Sequence, residues 1–223
     1  MSLLGQSQSL LRPATKTTTF LNLFTPYRVR NYTTTMSKTA CVFLAEGAEE
    51  MEFVIAADVL RRAGVTVTVA GVPNATPVKC SRDVVIVPDL SVCEANAKGP
   101  YDVLVLPGGL GGSKALASDT TVQEMLKAQE KCGGLIAAIC AAPTAFKTSG
   151  IGEGKNVTSY PAMKAQMEEG GKYNYKEDKV VIDGNFITSR GPGTAFDFAL
   201  AIVDKLLGKE AACKTAQPML LSY

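Results

Sequence analysis

The residues of this chain best placed for chemistry gather around one cysteine. Cys140 lies in Ala138-Ile139-Cys140-Ala141-Ala142, where an apolar stretch that reads as a buried strand gives way to a helical one. Small neighbours on both sides suit a tight strand-to-helix turn that pushes a nucleophile outward. A helix N-terminus there would add free amides and partial positive charge, and both favour a thiolate. The competing reading is a buried core thiol, because free cysteine is among the most buried residue types.

Three carboxylates, Glu49, Glu50 and Glu52, open the first helical stretch. Acidic residues in a first turn complement the helix dipole and need no further role. A partly buried, protonated carboxyl facing Cys140 would instead donate a hydrogen bond to its thiolate and later relay a proton. The pattern does not say which of the three does this. Pro107-Gly108-Gly109 ends a strand, either as a plain turn or as a close backbone approach with amides aimed at an anionic oxygen. No Gly-Lys-Ser/Thr follows, so it is not a phosphate loop. Arg190-Gly191-Pro192-Gly193 reads as a strand-to-helix turn. Arg82, in Ser81-Arg82-Asp83, is an anion ligand or a surface ion-pair partner.

The chain has 223 residues and no histidine. This excludes Ser-His-Asp triads, Cys-His dyads and His-ligated metal sites. Six cysteines, at 41, 80, 93, 132, 140 and 213, form no C-x-x-C pair, so no metal or disulfide framework is expected. Cys80 is exposed or at an interface, and the other four have no local signature. Apolar residues are 46% and charged residues 20%, an ordinary globular balance. A net charge of +2 gives no electrostatic case for nucleic-acid binding. No apolar run approaches the ~20 residues of a membrane helix.

Residues 1–35 hold Arg12, Lys16, Arg28 and Arg30, eleven Ser and Thr, and no acid. The remainder then carries nineteen basic against twenty-one acidic residues. Such a leader reads as a mitochondrial transit peptide or as an extension without an address. Met36 offers an alternative start for a cytosolic form. The expected locations are therefore the mitochondrion and the cytoplasm, with the nucleus left open.

From residue 36 to 223, strands and helices alternate in one domain. Ala40–Ala45, Val65–Ala70, Asp83–Val87, Asp102–Leu106 and Gly134–Ile139 read as strands. Val180–Ile182 and Phe186–Thr188 flank Asp183-Gly184 as a hairpin. Helices are expected at Glu49–Ala63, closed by Gly64, at Thr121–Lys131, and at Thr194–Leu207, the last with a Thr194/Asp197 capping box and a Gly208 stop. Apolar strands separated by helices imply a mostly parallel sheet covered on both faces. Ligands in such folds collect at the strands' carboxyl ends, here Glu46–Glu52, Pro107–Gly112, Cys140–Pro143 and Ser189–Gly193.

Taken together, GAEEME at 47–52, RRAGVTVTVAG at 61–71, CSRDVVI at 80–86, YDVLVLPGG at 101–109, GLIAAICAAPTA at 134–145 and TSRGPGTAFDFALAIV at 188–203 resemble the ThiJ/PfpI family, in its Parkinsonism-associated deglycase branch. The resemblance spans residues 37–217. It implies a flavodoxin-like, three-layer α/β sandwich and a homodimer. It also implies a reactive thiol at Cys140, a protonated partner at Glu52, and backbone oxyanion donors at Gly109 and Ala141. The implied activity is cofactor-free: a glutathione-independent glyoxalase and protein deglycase acting on methylglyoxal and early glycation adducts of amines and thiols, linked to oxidative stress.

The sequence departs from the branch at Tyr160, where a histidine is common, and at Val87, where some members have cysteine. Ala141 stands where the family's peptidases have histidine, which argues against peptidase activity. A non-enzymatic alternative is a redox sensor that signals through oxidation of Cys140 to the sulfinic acid. A holdase chaperone would need exposed apolar surface.

Overall fold

Along Thr39–Ala45 (β1), alternate side chains enter two separate cores. Ala40, Val42 and Leu44 join one, and Cys41, Phe43 and Ala45 join the other. This is the period-two signature of a strand covered on both faces. The computed structural model describes residues 37–223, so the leader lies outside the described residues.

From β1 the chain runs through helix Glu50–Arg62 (α1) to Thr66–Val72 (β2). A small hairpin of Val78–Lys79 (β3) and Val85–Ile86 (β4) follows, then Leu90–Ser91 (β5) and helix Val92–Lys98 (α2). Val103–Leu106 (β6) leads into helices Leu110–Ser118 (α3) and Thr120–Lys131 (α4). Leu135–Ile139 (β7) precedes helix Thr144–Ser149 (α5). Asn156–Val157 (β8) and Asn174–Tyr175 (β9) pair on either side of helix Lys164–Glu168 (α6). Val180–Asp183 (β10) and Phe186–Ser189 (β11) form the predicted hairpin, and helices Ala195–Leu207 (α7) and Lys209–Ala216 (α8) follow.

The central sheet has the order β10-β11-β7-β6-β1-β2-β5. Every pairing is parallel except β10 with β11. Helices α1, α7 and α8 pack on one face, and α2, α4 and α5 on the other. The expected three-layer α/β sandwich is therefore correct. After β1 the chain builds outward through β2 and β5, then returns to β6 on the other side of β1. That reversal opens a crevice at the carboxyl ends of β1 and β6, where ligands of such sheets bind.

Three local expectations fail. Asp83–Val87 is not a strand of the central sheet. Only Val85–Ile86 pairs, antiparallel to Val78–Lys79, while Val84, Val85 and Val87 are exposed. An apolar run does not distinguish a buried strand from an apolar surface arm. The Thr194/Asp197 capping box is absent. Thr194 Oγ1 accepts instead from the amides of Gly191 and Arg190 and so ties down the preceding turn. Finally, helix α5 begins at Thr144, so a turn separates Cys140 from it.

Helix α3 escaped the sequence reading because Gly111 and Gly112 weaken its helical signal. The glycines serve packing. A Cβ on Gly112 would meet Ala48 Cα at 2.7 Å, so α3 can lie close against the loop after β1.

Candidate active site

Cys140 directly follows β7 with φ at 64°, one of three non-glycine residues in the left-handed region among those described. Such a conformation costs about 1–3 kcal/mol and persists only where its surroundings enforce it. Here the Cys140 N–H donates to the Ser189 carbonyl at 3.0 Å, and its carbonyl accepts from the Tyr160 N–H at 2.7 Å. The sharp turn aims the thiol across the ends of β6 and β1, with the residue 8% exposed.

The three glutamates of α1 have separate tasks. Glu49 caps the helix by accepting from the Glu52 amide at 2.8 Å. Glu50 accepts from Ser81 Oγ at 2.8 Å and from the Arg82 amide at 2.7 Å, so it anchors the β3–β4 loop. Glu52 alone turns toward Cys140, and it is fully buried. Its Oε2 accepts from the Gly108 amide at 2.8 Å. Its Oε1 is buried without a hydrogen-bond partner among the described residues. The carboxyl and the Cys140 thiol are close enough for each to shift the other's titration.

Burial pushes the Glu52 carboxyl up to about 7, against the pull of the Gly108 amide and of Cys140; the charge of Glu49 adds to the rise. Burial also pushes the Cys140 thiol up to about 12, and an ionised Glu52 contributes next. The Gly109 and Ala141 amides pull the thiol back down. A proton resting on Glu52 removes the repulsion and supplies a donor to sulfur, so the two groups compete for one proton.

Glycine is required beside this pair. A Cβ on Gly108 would stand 2.5 Å from both Cys140 Cβ and Glu52 Oε2. Gly109, at φ 82°, would drive a Cβ to 2.3 Å from the Gly47 carbonyl oxygen. The Pro-Gly-Gly stretch is therefore a close approach rather than a plain turn.

Cys140 and Gly109 open onto a cavity of about 410 Å³, together with Glu49, Arg82, Tyr160 and Pro192. Of the predicted residues, Cys140, Glu52, Gly109 and Ala141 converge, and Arg82 joins them on the cavity wall. Arg190 does not, since its guanidinium donates to the Glu177 carbonyl. Cys80 is buried, not exposed, and burial followed by Glu50, Glu46 and Glu49 raises its thiol to about 11. Leu110 and Gly47 also border the cavity and carried no sequence signal beyond their places after β6 and β1. Among the described residues, no group of three His, Cys, Asp or Glu side chains is arranged to hold a metal ion.

A family model described as the DJ-1/PfpI family matches residues 38–205. The chain belongs to the DJ-1/PfpI family. Protein DJ-1alpha of Drosophila melanogaster is 59% identical over 188 residues, covering 84% of this chain and 86% of that protein. The glutathione-independent glyoxalase DJR-1.2 of Caenorhabditis elegans is 45% identical, over 83% of this chain and 97% of that one. The crystal structure of Drosophila melanogaster DJ-1beta superposes with a TM-score of 0.81 at 57% identity, covering 84% of this chain and all of that one. Residues 1–37 fall outside the matched segment.

Proposed function

We propose that this protein is a cofactor-free glyoxalase and deglycase that converts methylglyoxal, and its early adducts with amines and thiols, to lactate or lactoyl-level products. The observation that carries this reading is the pairing of a strained, nearly buried Cys140 with a fully buried Glu52 whose Oε1 lacks a partner. The 45% identity to a protein named as a glutathione-independent glyoxalase supports the same chemistry.

The Cys140 thiolate attacks the aldehyde carbon of methylglyoxal, and a C–S bond forms. The Glu52 proton passes to the new alkoxide, which the Gly109 and Ala141 amides stabilise. Glu52, now a carboxylate, takes the hydrogen of that carbon as a proton and returns it to the neighbouring carbonyl carbon, while the hydroxyl proton of the first carbon passes to the oxygen of the second, so that a thioester carbonyl forms on one and a hydroxyl on the other. The first carbon is thereby oxidised and the second reduced, with no external oxidant. Water hydrolyses the resulting lactoyl thioester, which frees lactate and the thiol. An aminocarbinol or hemithioacetal enters the same sequence when its C–N or C–S bond breaks as the bond to Cys140 sulfur forms, and the amine or thiol departs with a proton. Lactate release from methylglyoxal without glutathione, by residues 36–223, tests the scheme. Retention of turnover in Cys140→Ala defeats it.

A redox-sensing role is favoured by the same amides and by Arg82, which borders the cavity where sulfinate oxygens would project. Reaction that stops at one equivalent of aldehyde per Cys140 would favour that role over turnover.

Homodimerisation is supported by an apolar strip of Met51 and Val54 on α1 with Val84, Val85 and Val87 beside the β3–β4 hairpin, each at least 46% exposed. Glu50 ties the two parts together through Ser81 and Arg82. Val85→Lys should give a monomer by sedimentation equilibrium, and an unaltered dimer would place the interface elsewhere. Residues 1–35 should direct a fluorescent protein to mitochondria, and a diffuse fusion would remove that role.

A further inference from the structure

A second cavity, of about 360 Å³, adjoins the reactive one. Leu110 borders both, and Ala141, the residue after the nucleophile, lines the second. Leu110 is 70% exposed, so it stands as a partition between two openings rather than as a core side chain.

Most hydroxyls around the second cavity are already used. Thr144 Oγ1 donates to the Ala141 carbonyl at 2.7 Å, Thr148 Oγ1 to that of Ala145 at 3.1 Å, and Ser118 Oγ to that of Lys114 at 2.9 Å. Ser113 differs. It is 2% exposed, and its Oγ has no hydrogen-bond partner among the described residues. A buried hydroxyl with no protein partner keeps its donor available to a bound group or a water. Lys114 is the sole ionisable residue lining the cavity, and among the described residues it is in no ion pair. A hydroxyl donor and an uncompensated ammonium in one lining, with no carboxylate there, select an anion.

We infer that this cavity is a second substrate subsite, which receives the carboxylate of the amino-acid part of an adduct while its carbonyl-derived carbon sits at Cys140. This rests on the carbonyl chemistry proposed above and adds selectivity to it. Adducts with a free carboxylate one residue's length from the reacting carbon are preferred over the same adducts with that charge masked. Ser113 and Lys114 determine that preference, and Leu110 marks the boundary the substrate crosses.

The test compares hemithioacetals of methylglyoxal with N-acetylcysteine and with its methyl ester, after subtracting the rate given by free methylglyoxal at its equilibrium concentration. Wild type should favour the acid at least tenfold in kcat/KM. Lys114→Gln and Ser113→Ala should each reduce the acid-to-ester ratio about fivefold or more, and a general loss of activity cancels in that ratio. A wild-type ratio near one, or a ratio unmoved in both variants, overturns the subsite.

If wild type turns over neither adduct nor methylglyoxal, the enzymatic reading fails and binding decides the subsite. N-acetylglycine and its methyl ester are then titrated into Cys140→Ser protein by NMR. Binding of the acid alone, weakened about tenfold by Lys114→Gln, upholds the site. Equal shifts from acid and ester, or none, remove it.

Discussion

The two ends of the central sheet are built from similar residues and put them to opposite use. The larger cavity, about 510 Å³, lies at the amino ends of the strands, around Lys38, Tyr101, Asp102, Gln129 and Cys132. Its polar groups are satisfied. Asp102 accepts from the Thr39 amide and from Lys38 Nζ, both at 2.8 Å, and the Gln129 amide donates to the Tyr101 and Leu135 carbonyls. At the carboxyl ends, the smaller cavity at Cys140 holds a left-handed cysteine and a buried carboxyl oxygen with no partner. An unpartnered buried oxygen and backbone strain distinguish the carboxyl end, and cavity size does not.

The sharpest break of this contrast is between two thiols. Cys140→Ser should lower lactate release roughly 10³-fold or more, by loss of the nucleophile. The exposed Cys132→Ser, at the other end, should stay within about twofold. A comparable loss in both would show that the end of the sheet is irrelevant.

Two glycines give the next largest difference. Gly108→Ala inserts a methyl 2.5 Å from Cys140 and Glu52 and 2.9 Å from the Ile139 carbonyl. It should cost about 3 kcal/mol by overpacking and abolish turnover. Gly133→Ala meets nothing within 4 Å, and its penalty comes only from φ at 70°. About 1 kcal/mol is expected there. Urea unfolding measures both, and equal losses would mean that the site is not tightly packed.

The two buried-end carboxylates should respond to pH with opposite sign. Glu52 titrates higher folded than unfolded, so its protonation favours the folded state. That contribution is full below the unfolded value near 4.5 and disappears as pH rises through about 7. Glu52→Gln should therefore gain stability relative to wild type between pH 4 and pH 8, on the order of 3 kcal/mol. For Asp102, burial alone would raise the carboxyl, but Lys38 and Thr39 hold it below the ordinary range. Its contribution is present above its unfolded value and is lost as pH falls. Asp102→Asn should therefore lose most at neutral pH and least in acid. Unfolding midpoints at several pH values check both slopes, and parallel slopes would refute the assignment. Under the proposed mechanism, turnover follows the single proton shared by Glu52 and Cys140. It should fall about tenfold per pH unit below about 7, as the pair gains a second proton.

The smallest effect is at Ser113. Removing its unpartnered hydroxyl by Ser113→Ala should raise stability by about 1 kcal/mol. A loss of that size would reveal a partner for the hydroxyl in solution.

The strands that position the site were legible because both-face burial leaves continuous apolar runs, as in LIAAI before Cys140 and VLVL before the glycines. The valines of 84–87 misled because they carry the same apolarity on an exposed arm. Helix α3 was hidden by glycines whose purpose, contact with Ala48, lies more than sixty residues away in the chain. The capping box at Thr194 failed because the nearer amides of Arg190 and Gly191 claimed its hydroxyl.

By itself the sequence determined the alternation of strands and helices, the absence of imidazole chemistry, and the place of Cys140 at a strand end. Each is local, fixed by composition or by apolar period. Local pattern left open which of three neighbouring glutamates meets that cysteine; the family resemblance implied Glu52, and the tertiary structure supplied the physical reason. All three lie within one helical turn, and their tasks differ by what the returning strands bring to each: the helix's own amide to Glu49, the hairpin loop to Glu50, and Gly108 with Cys140 to Glu52. Desolvation depends on every element that closes over a group, so a raised carboxyl is a property of the folded assembly and of no segment in it.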